Sequence, residues 1–146
     1  MTHYILYMIV IIVAAAYGSK YAKKAETDIG KFNQTKEDEA KQTEKLEYLK
    51  ANIFIGLKNM NDGFDNESIY YFTESDFEIV LDRVEKLGIG IMGIEPWLNG
   101  EFYDVKVAED YGGIPSDPKW YRSAYTEFKE IKEKSLLYSA SYKLPE

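Results

Sequence analysis

The sequence predicts an α+β chain: an N-terminal membrane helix, then a small, mainly antiparallel three-stranded sheet packed on two to three helices. Three observations predict it. An unbroken apolar run occupies Tyr4 to Tyr17. Two stretches of the second half carry helical apolar stripes with recognisable start signals. Between them, Asn99-Gly100 joins two strand-like runs and is the strongest short signal for a hairpin.

The opening run reads YILYMIVIIVAAAYG. A bilayer core needs roughly 20 apolar helical residues, with about 17 as a minimum. Tyr4 to Gly18 is short of that, and the run reaches it when extended to Ala22 with Lys20 snorkelling. Tyr4 and Tyr7 at one end, and Tyr17 and Tyr21 at the other, suit the aromatic belts of a span. Lys20, Lys23 and Lys24 follow, which by the positive-inside rule places the rest of the chain in the cytoplasm. Residues 1–22 are therefore expected to be a single-span anchor in the inner (cytoplasmic) membrane, in contact with lipid through residues 4–22. A signal peptide is the competing reading, with Ala14 and Ala16 as a small-residue cleavage site and export as its consequence. A buried core helix is the third, although such helices usually keep a polar stripe and this run has none.

Residues 23–43 are expected to form a polar helical linker. The stretch is dense in Lys, Glu, Asp, Gln and Thr, with only Ile29 and Phe32 as scattered apolar residues. Residues 44–146 then form one soluble α+β domain, long enough for a core of its own. Leu46, Leu49, Ile53, Leu57 and Met60 recur at helical spacing, and Asn61-Asp62-Gly63 ends that helix. Thr73 is the N-cap of the next, with Asp76 three residues on. Its stripe is Phe77, Val80, Leu81, Val84 and Leu87, and Gly88 stands where a C′ glycine belongs. Asp117-Pro118 opens another helix as cap and first residue. Tyr121, Ala124, Tyr125, Phe128 and Ile131 form its buried face. A final strand, Leu136 to Leu144, alternates Leu136, Tyr138, Ala140, Tyr142 and Leu144 against polar neighbours.

Composition narrows the chemistry. The chain has no cysteine, and its one histidine, His3, precedes the apolar run. Mechanisms that need a histidine base, a thiolate or either as a metal ligand in the soluble domain are excluded. Formal charge is −7 and unevenly spread: residues 1–50 hold eight Lys against seven acids, and residues 51–100 three basic against nine acidic residues. An acidic domain without a basic stripe argues against nucleic acid and favours a basic protein partner or a cation. No cofactor is implied, since Gly88, Gly90 and Gly93 precede a strand and make no phosphate-binding fingerprint.

The hairpin supplies the candidate site. With a two-residue loop Leu98 pairs with Glu101, and continuing that register puts Met92, Ile94, Tyr103, Val105 and Val107 on the core side. Glu95, Trp97, Phe102, Asp104 and Lys106 then share the other face. Glu95 lies directly opposite Asp104, with Cβ atoms about 5 Å apart. Such like charges call for compensation, from Lys106 or from a cation or basic partner. Trp97 and Phe102 face each other as an aromatic pair beside those charges, a combination typical of binding hot spots. The four candidate partner-binding residues are thus Glu95, Trp97, Phe102 and Asp104. A covering element, with Lys106 neutralising the acids, is the alternative reading of this face. Two further acidic loops, Asp62 to Glu67 and Glu109-Asp110, read as solvated turns, the first without the spacing of an EF-hand.

The segments GIGIMGIEPWLNGEFYDV, EDY, DPKWY and the ending YSASYKLPE resemble small bacterial immunity proteins of toxin–immunity systems. The resemblance spans Phe72 to Glu146. It implies an acidic, aromatic-rich α+β domain that binds and blocks a cognate toxin, and it carries no specific binding residues with it. The function expected is a non-enzymatic, membrane-tethered protein-binding module. The alternatives are a structural subunit of a membrane complex, in which the anchor is the working part, and an enzyme using the Glu95–Asp104 pair as acid and base.

Overall fold

The computed structural model describes residues 31, 33–131 and 135–146. The expected membrane span at residues 4–22 lies outside them. Among the described residues no helix is long and apolar enough to cross a membrane. The chain divides into two compact units, with the boundary between Glu44 and Lys45. Helix α1 covers residues 33–52. Its described residues up to Glu44 are exposed and, Ala40 apart, polar. Thr35 and Thr43 donate to carbonyls four residues back at 2.9 Å, and Glu37 pairs with Lys41 at 2.8 Å. The Glu37–Lys41 pair at i,i+4 supports a solvated helix, while the threonine hydroxyls satisfy themselves on its own carbonyls.

In the second unit, Lys45–Glu146, the apolar stripe begins. Leu49 and Ile53 are buried, with Leu46 and Leu57 packed against the core. The helix stops at Asn52, eight residues before the expected end at Met60. Ile53 and Phe54 both donate their N–H groups to the Leu49 carbonyl, and Gly56 turns the chain at φ +76°. The physical cause of the early stop comes from elsewhere in the chain. Arg83 donates to the carbonyls of Ile53 and Ile55, at 2.6 and 2.8 Å, and so takes up the groups that a continued helix would have used. Met60 instead bonds through its N–H to the Tyr71 carbonyl.

Helices α2 (Glu74–Leu87) and α3 (Pro118–Lys129) start and stop where local chemistry dictates. The Thr73 hydroxyl accepts the Asp76 N–H, and Gly88 closes α2 in the left-handed conformation at φ +65°. Asp117 accepts the Lys119 N–H, with Pro118 in the first turn. Phe77, Val80, Leu81 and Val84 are buried as expected. Leu87 lies beyond the stripe and is 40% exposed. Trp120 joins Tyr121, Ala124, Tyr125 and Phe128 on the buried face of α3.

Among the described residues the sheet has four antiparallel strands, one more than the sequence predicts. Strand β1 (Gly90–Leu98) is central. Strand β4 (Leu136–Lys143) pairs along one side of it. The short strands β2 (Glu101–Phe102) and β3 (Lys106–Val107) share the other side. Phe72 adds a one-residue bridge to β4, exchanging both backbone bonds with Tyr138. Asn99 and Gly100 both have positive φ, 53° and 79°, the primed turn that matches strand twist. Leu98 pairs with Glu101 and Trp97 with Phe102, as the two-residue loop requires.

Beyond those two pairs the expected register fails. Ile94 pairs with Lys106 and Gly93 with Val107, so Tyr103, Asp104 and Val105 stand against only Glu95 and Pro96. Pro96 is the reason. It has no N–H to return to a partner at position 103, and its carbonyl receives the N–H groups of both Tyr103 (3.1 Å) and Asp104 (3.5 Å). A one-residue slip exchanges faces for everything that follows. Tyr103 and Val105, expected in the core, are 38% and 41% exposed. Val107 passes to the opposite face beside Gly93, and Lys106 to the helix side. A second irregularity between Ile91 and Gly93 leaves Met92 exposed while Ile91 and Ile94 are both buried.

The core lies between the helices and one sheet face. Tyr138 is its centre: its ring stacks on Phe77 of α2 (5.4 Å) and meets Tyr125 of α3 edge-on (5.2 Å). The Tyr125 hydroxyl donates to the Glu74 carbonyl at 2.6 Å. Across the outside, Arg122 pairs with Asp82 and Glu85, and Lys129 with Glu78.

Two outcomes follow from these contacts. Arg83→Met leaves the carbonyls at the end of α1 without a charged donor and should lower unfolding free energy by about 2 kcal/mol in urea titration. An unchanged midpoint would remove Arg83 as the stop of α1. Burial pushes Tyr121 and Tyr138 up to about 12 from 10.0, because the fold favours the neutral phenol. That stabilisation is complete below pH 10.0 and is lost as pH rises toward about 12. The urea midpoint should therefore be flat at neutral pH and fall across that alkaline window; no fall by its upper end contradicts the assignment.

Candidate functional site

The sheet face away from α2 and α3 carries Glu95 and Trp97 on β1 and Ser139 on β4, with Glu95 paired to Ser139. Part of this face is covered by the segment from Leu57 to Tyr71. Two asparagines shape that cover. The Asn59 side chain accepts the N–H groups of Asn61 and Tyr71, at 3.0 and 3.1 Å. The Asn61 amide donates to the carbonyls of Asn66 and Ile69 at 2.9 Å each, while its oxygen accepts the Gly63 N–H. Asp65, one of the acids of this loop, accepts the Tyr71 hydroxyl at 2.6 Å. Burial, reinforced by the bond to Asp65, holds the Tyr71 phenol well above its ordinary range. The loop's polar groups thus serve its own shape, and among the described residues no three acids converge as metal ligands.

Trp97 sits under this cover. Its ring lies 5.3 Å from Tyr71, edge-on, and 5.5 Å from Phe64. Phe64 reaches it because Gly100 has no side chain: a Cβ there would stand 3.3 Å from the Phe64 Cβ. The indole N–H is buried with no hydrogen-bond partner among the described residues. Phe102 meets the other edge of Trp97 at 6.4 Å and 89°, and remains 55% exposed. The two aromatics predicted to face each other do so. They differ in role, since Trp97 is a half-buried footing and Phe102 the part that solvent sees.

Glu95 and Asp104 are not opposed, because the slip at Pro96 separates them. Glu95 is half-buried across from Ser139, whereas Asp104 is exposed and turns back to accept the Val105 N–H at 2.8 Å.

 The direct cross-strand opposition of Glu95 and Asp104 expected for an acid–base pair is therefore not formed. Lys106, expected to neutralise these acids, lies on the helix side. It pairs with Glu127, bonds the Tyr111 hydroxyl at 3.3 Å and covers the Phe128 ring at 5.1 Å. Burial opposes the charge of Lys106, but its bonds to Glu127 and Tyr111 outweigh this and hold its pKa above the ordinary value.

What the slip creates is a run of five consecutive exposed residues, Glu101 to Val105, at the sheet edge. Phe102, Tyr103 and Val105 present apolar surface there, and Glu101 and Asp104 present carboxylates. Comparison with protein-family models, curated proteins and solved structures finds no match. The site therefore rests on its own geometry. Open hollows of about 370 and 460 Å³ lie elsewhere, one beside Gly90 and Lys143 and the other beside Thr73 and Leu137. Neither is lined by Glu95, Trp97, Phe102 or Asp104.

Sequence reasoning missed Tyr103 and Val105, which strict alternation assigned to the core, and Phe64 and Tyr71, which support Trp97. Pro96 within a strand was the signal for the first two. A single phenylalanine in the polar loop NDGFDN was the signal for the third, since an aromatic there gains by finding a surface to cover. Phe64→Ala should cost about 2 kcal/mol, below the 3–5 kcal/mol of a fully buried ring, and should shift Trp97 emission to the red. Unchanged emission would show that Phe64 does not shield the indole.

Proposed function

We propose that this chain is a non-enzymatic, membrane-tethered protein-binding module, an immunity protein that neutralises a cognate toxin. In this reading residues 4–22 hold it in the inner membrane and the α+β domain faces the cytoplasm, where it binds a basic protein. The observation that carries the reading is the exposed run Glu101 to Val105, whose aromatic member Phe102 rests on the supported ring of Trp97. A rigid aromatic footing beneath an exposed aromatic limits the side-chain entropy lost on binding, and it is flanked by carboxylates that speed encounter with a basic surface. The acidic composition and the resemblance to immunity proteins support the same class.

The contact residues in this reading are Phe102, Tyr103 and Asp104, with Trp97 supporting them from beneath and Glu95 at the margin. The test uses the full chain in native membranes. A photo-crosslinking side chain at position 102 should capture one basic protein that the same group at position 79, on α2, does not. In the chain without the crosslinker, replacing Phe102 and Tyr103 together by Ala should weaken binding of the captured protein roughly 30-fold, the equivalent of about 2 kcal/mol at a hot spot. The melting temperature should hardly move, because both side chains lie at the exposed sheet edge and outside the buried core. Undiminished binding of that protein by the double variant would sink the surface assignment.

A further inference from the structure

Among the described residues the outer side of β2 and β3 has no strand against it. Among the described residues both pair with β1 alone. The remaining margins of the sheet are better covered: Phe72 bonds both backbone groups of Tyr138 on β4, and the Pro115 carbonyl takes the Ile91 N–H on β1. Alternation within an antiparallel pair assigns the direction of the exposed groups. The Tyr103 N–H turns inward to Pro96, so the N–H and carbonyl of its neighbour Phe102 turn outward. Past the slip, the Val105 N–H is occupied by the carboxylate of Asp104.

Lys106 on this edge is paired with Glu127, and the unpaired charge on and just after the edge has one sign. Glu101, Asp104, Glu109 and Asp110 are exposed, and none pairs with a cation among the described residues. The helix acids Glu78, Asp82, Glu85 and Glu127 are each paired. A second copy of this chain would bring the same four carboxylates against themselves. Acidic side chains on an open edge guard it against such self-pairing, and they leave it open to a strand of opposite charge.

We propose that the Phe102–Val107 edge receives an extended, basic segment of the partner by strand addition. The segment's backbone bonds to the outward groups of Phe102, and its Lys or Arg side chains meet Glu101 and Asp104. A cation arriving at Asp104 competes for the carboxylate that holds the Val105 N–H, and so opens the next position of the edge. Alternate side chains of the segment lie over Phe102 and Tyr103, where a cation is attracted to the ring face. This mode of recognition rests on the reading of the chain as a binding module for a basic protein.

The test is amide hydrogen exchange on the full chain in detergent, with synthetic peptides as probes. An alternating Lys/Val heptapeptide should slow exchange at Phe102 by about tenfold or more, and an alternating Glu/Val peptide should not. Methylating alternate backbone nitrogens of the Lys/Val peptide keeps its charge and removes its strand edge, and should abolish the protection. Protection by the methylated peptide, by the Glu/Val peptide, or by none of the three overturns strand addition of a basic segment. Protection that instead rises with protein concentration alone assigns the edge to a second copy and overturns it as well. If crosslinking at position 102 still captures a basic protein when strand addition has failed, only the mode of binding falls. Loss of both sinks the binding-module reading itself.

Discussion

Pro96 occupies the middle of the central strand, where a residue is normally asked for one hydrogen-bond donor and one acceptor. It has only the acceptor. The strand meets the demand on the β4 side and fails it on the other, so the neighbouring chain closes two N–H groups onto one carbonyl and moves on by a residue. From that single missing donor follow the division of one expected strand into β2 and β3 and the passage of Lys106 to the helix side. The exposure of Tyr103 and Val105 follows from it too. The turn at Asn99-Gly100 sets the register of the first two pairs, and Pro96 cancels it for the rest.

The two faces of the sheet use aromatic residues in different ways. On the helix side Tyr138, Phe77 and Tyr125 interlock and are fully enclosed, and their contribution is to stability. On the other side Tyr71, Phe64, Trp97 and Phe102 form a graded series from buried to exposed. Such a series transmits rigidity outward to a residue that solvent can reach. The electrostatics are divided in the same manner. Glu78, Asp82, Glu85 and Glu127 on the helices are paired with Lys129, Arg122 and Lys106. Glu101 and Asp104 along the free edge have no such pairing among the described residues.

Elements governed by neighbours in sequence were legible. The caps at Thr73, Gly88 and Asp117 and the turn at Asn99-Gly100 all lie within four residues of the groups they satisfy. Their side-chain chemistry and the glycine conformations decide them locally. The facing of Trp97 and Phe102 was legible for the same reason, since it is two residues from the turn. The end of α1 was not, because Arg83 stops it from 28 and 30 residues away. The opposition of Glu95 and Asp104 was misread by extending a register through a proline. The cover over Trp97 could not be foreseen, since the loop carrying Phe64 has no periodicity to say which surface it will meet.

By itself the sequence determined the α+β class, the caps of α2 and α3, the hairpin turn and the absence of any histidine or cysteine chemistry from the domain. Each of these depends on composition or on bonds that close over a few residues. Only the tertiary structure decided where α1 ends, how the fourth strand arises, which aromatics are shielded and which carboxylates remain unpaired. Those outcomes depend on groups distant in sequence competing for the same donors, acceptors and apolar surface. The candidate site lies where the two meet: a locally encoded turn brings Trp97 to Phe102, and a failed ladder bond at Pro96 turns the residues after them toward solvent.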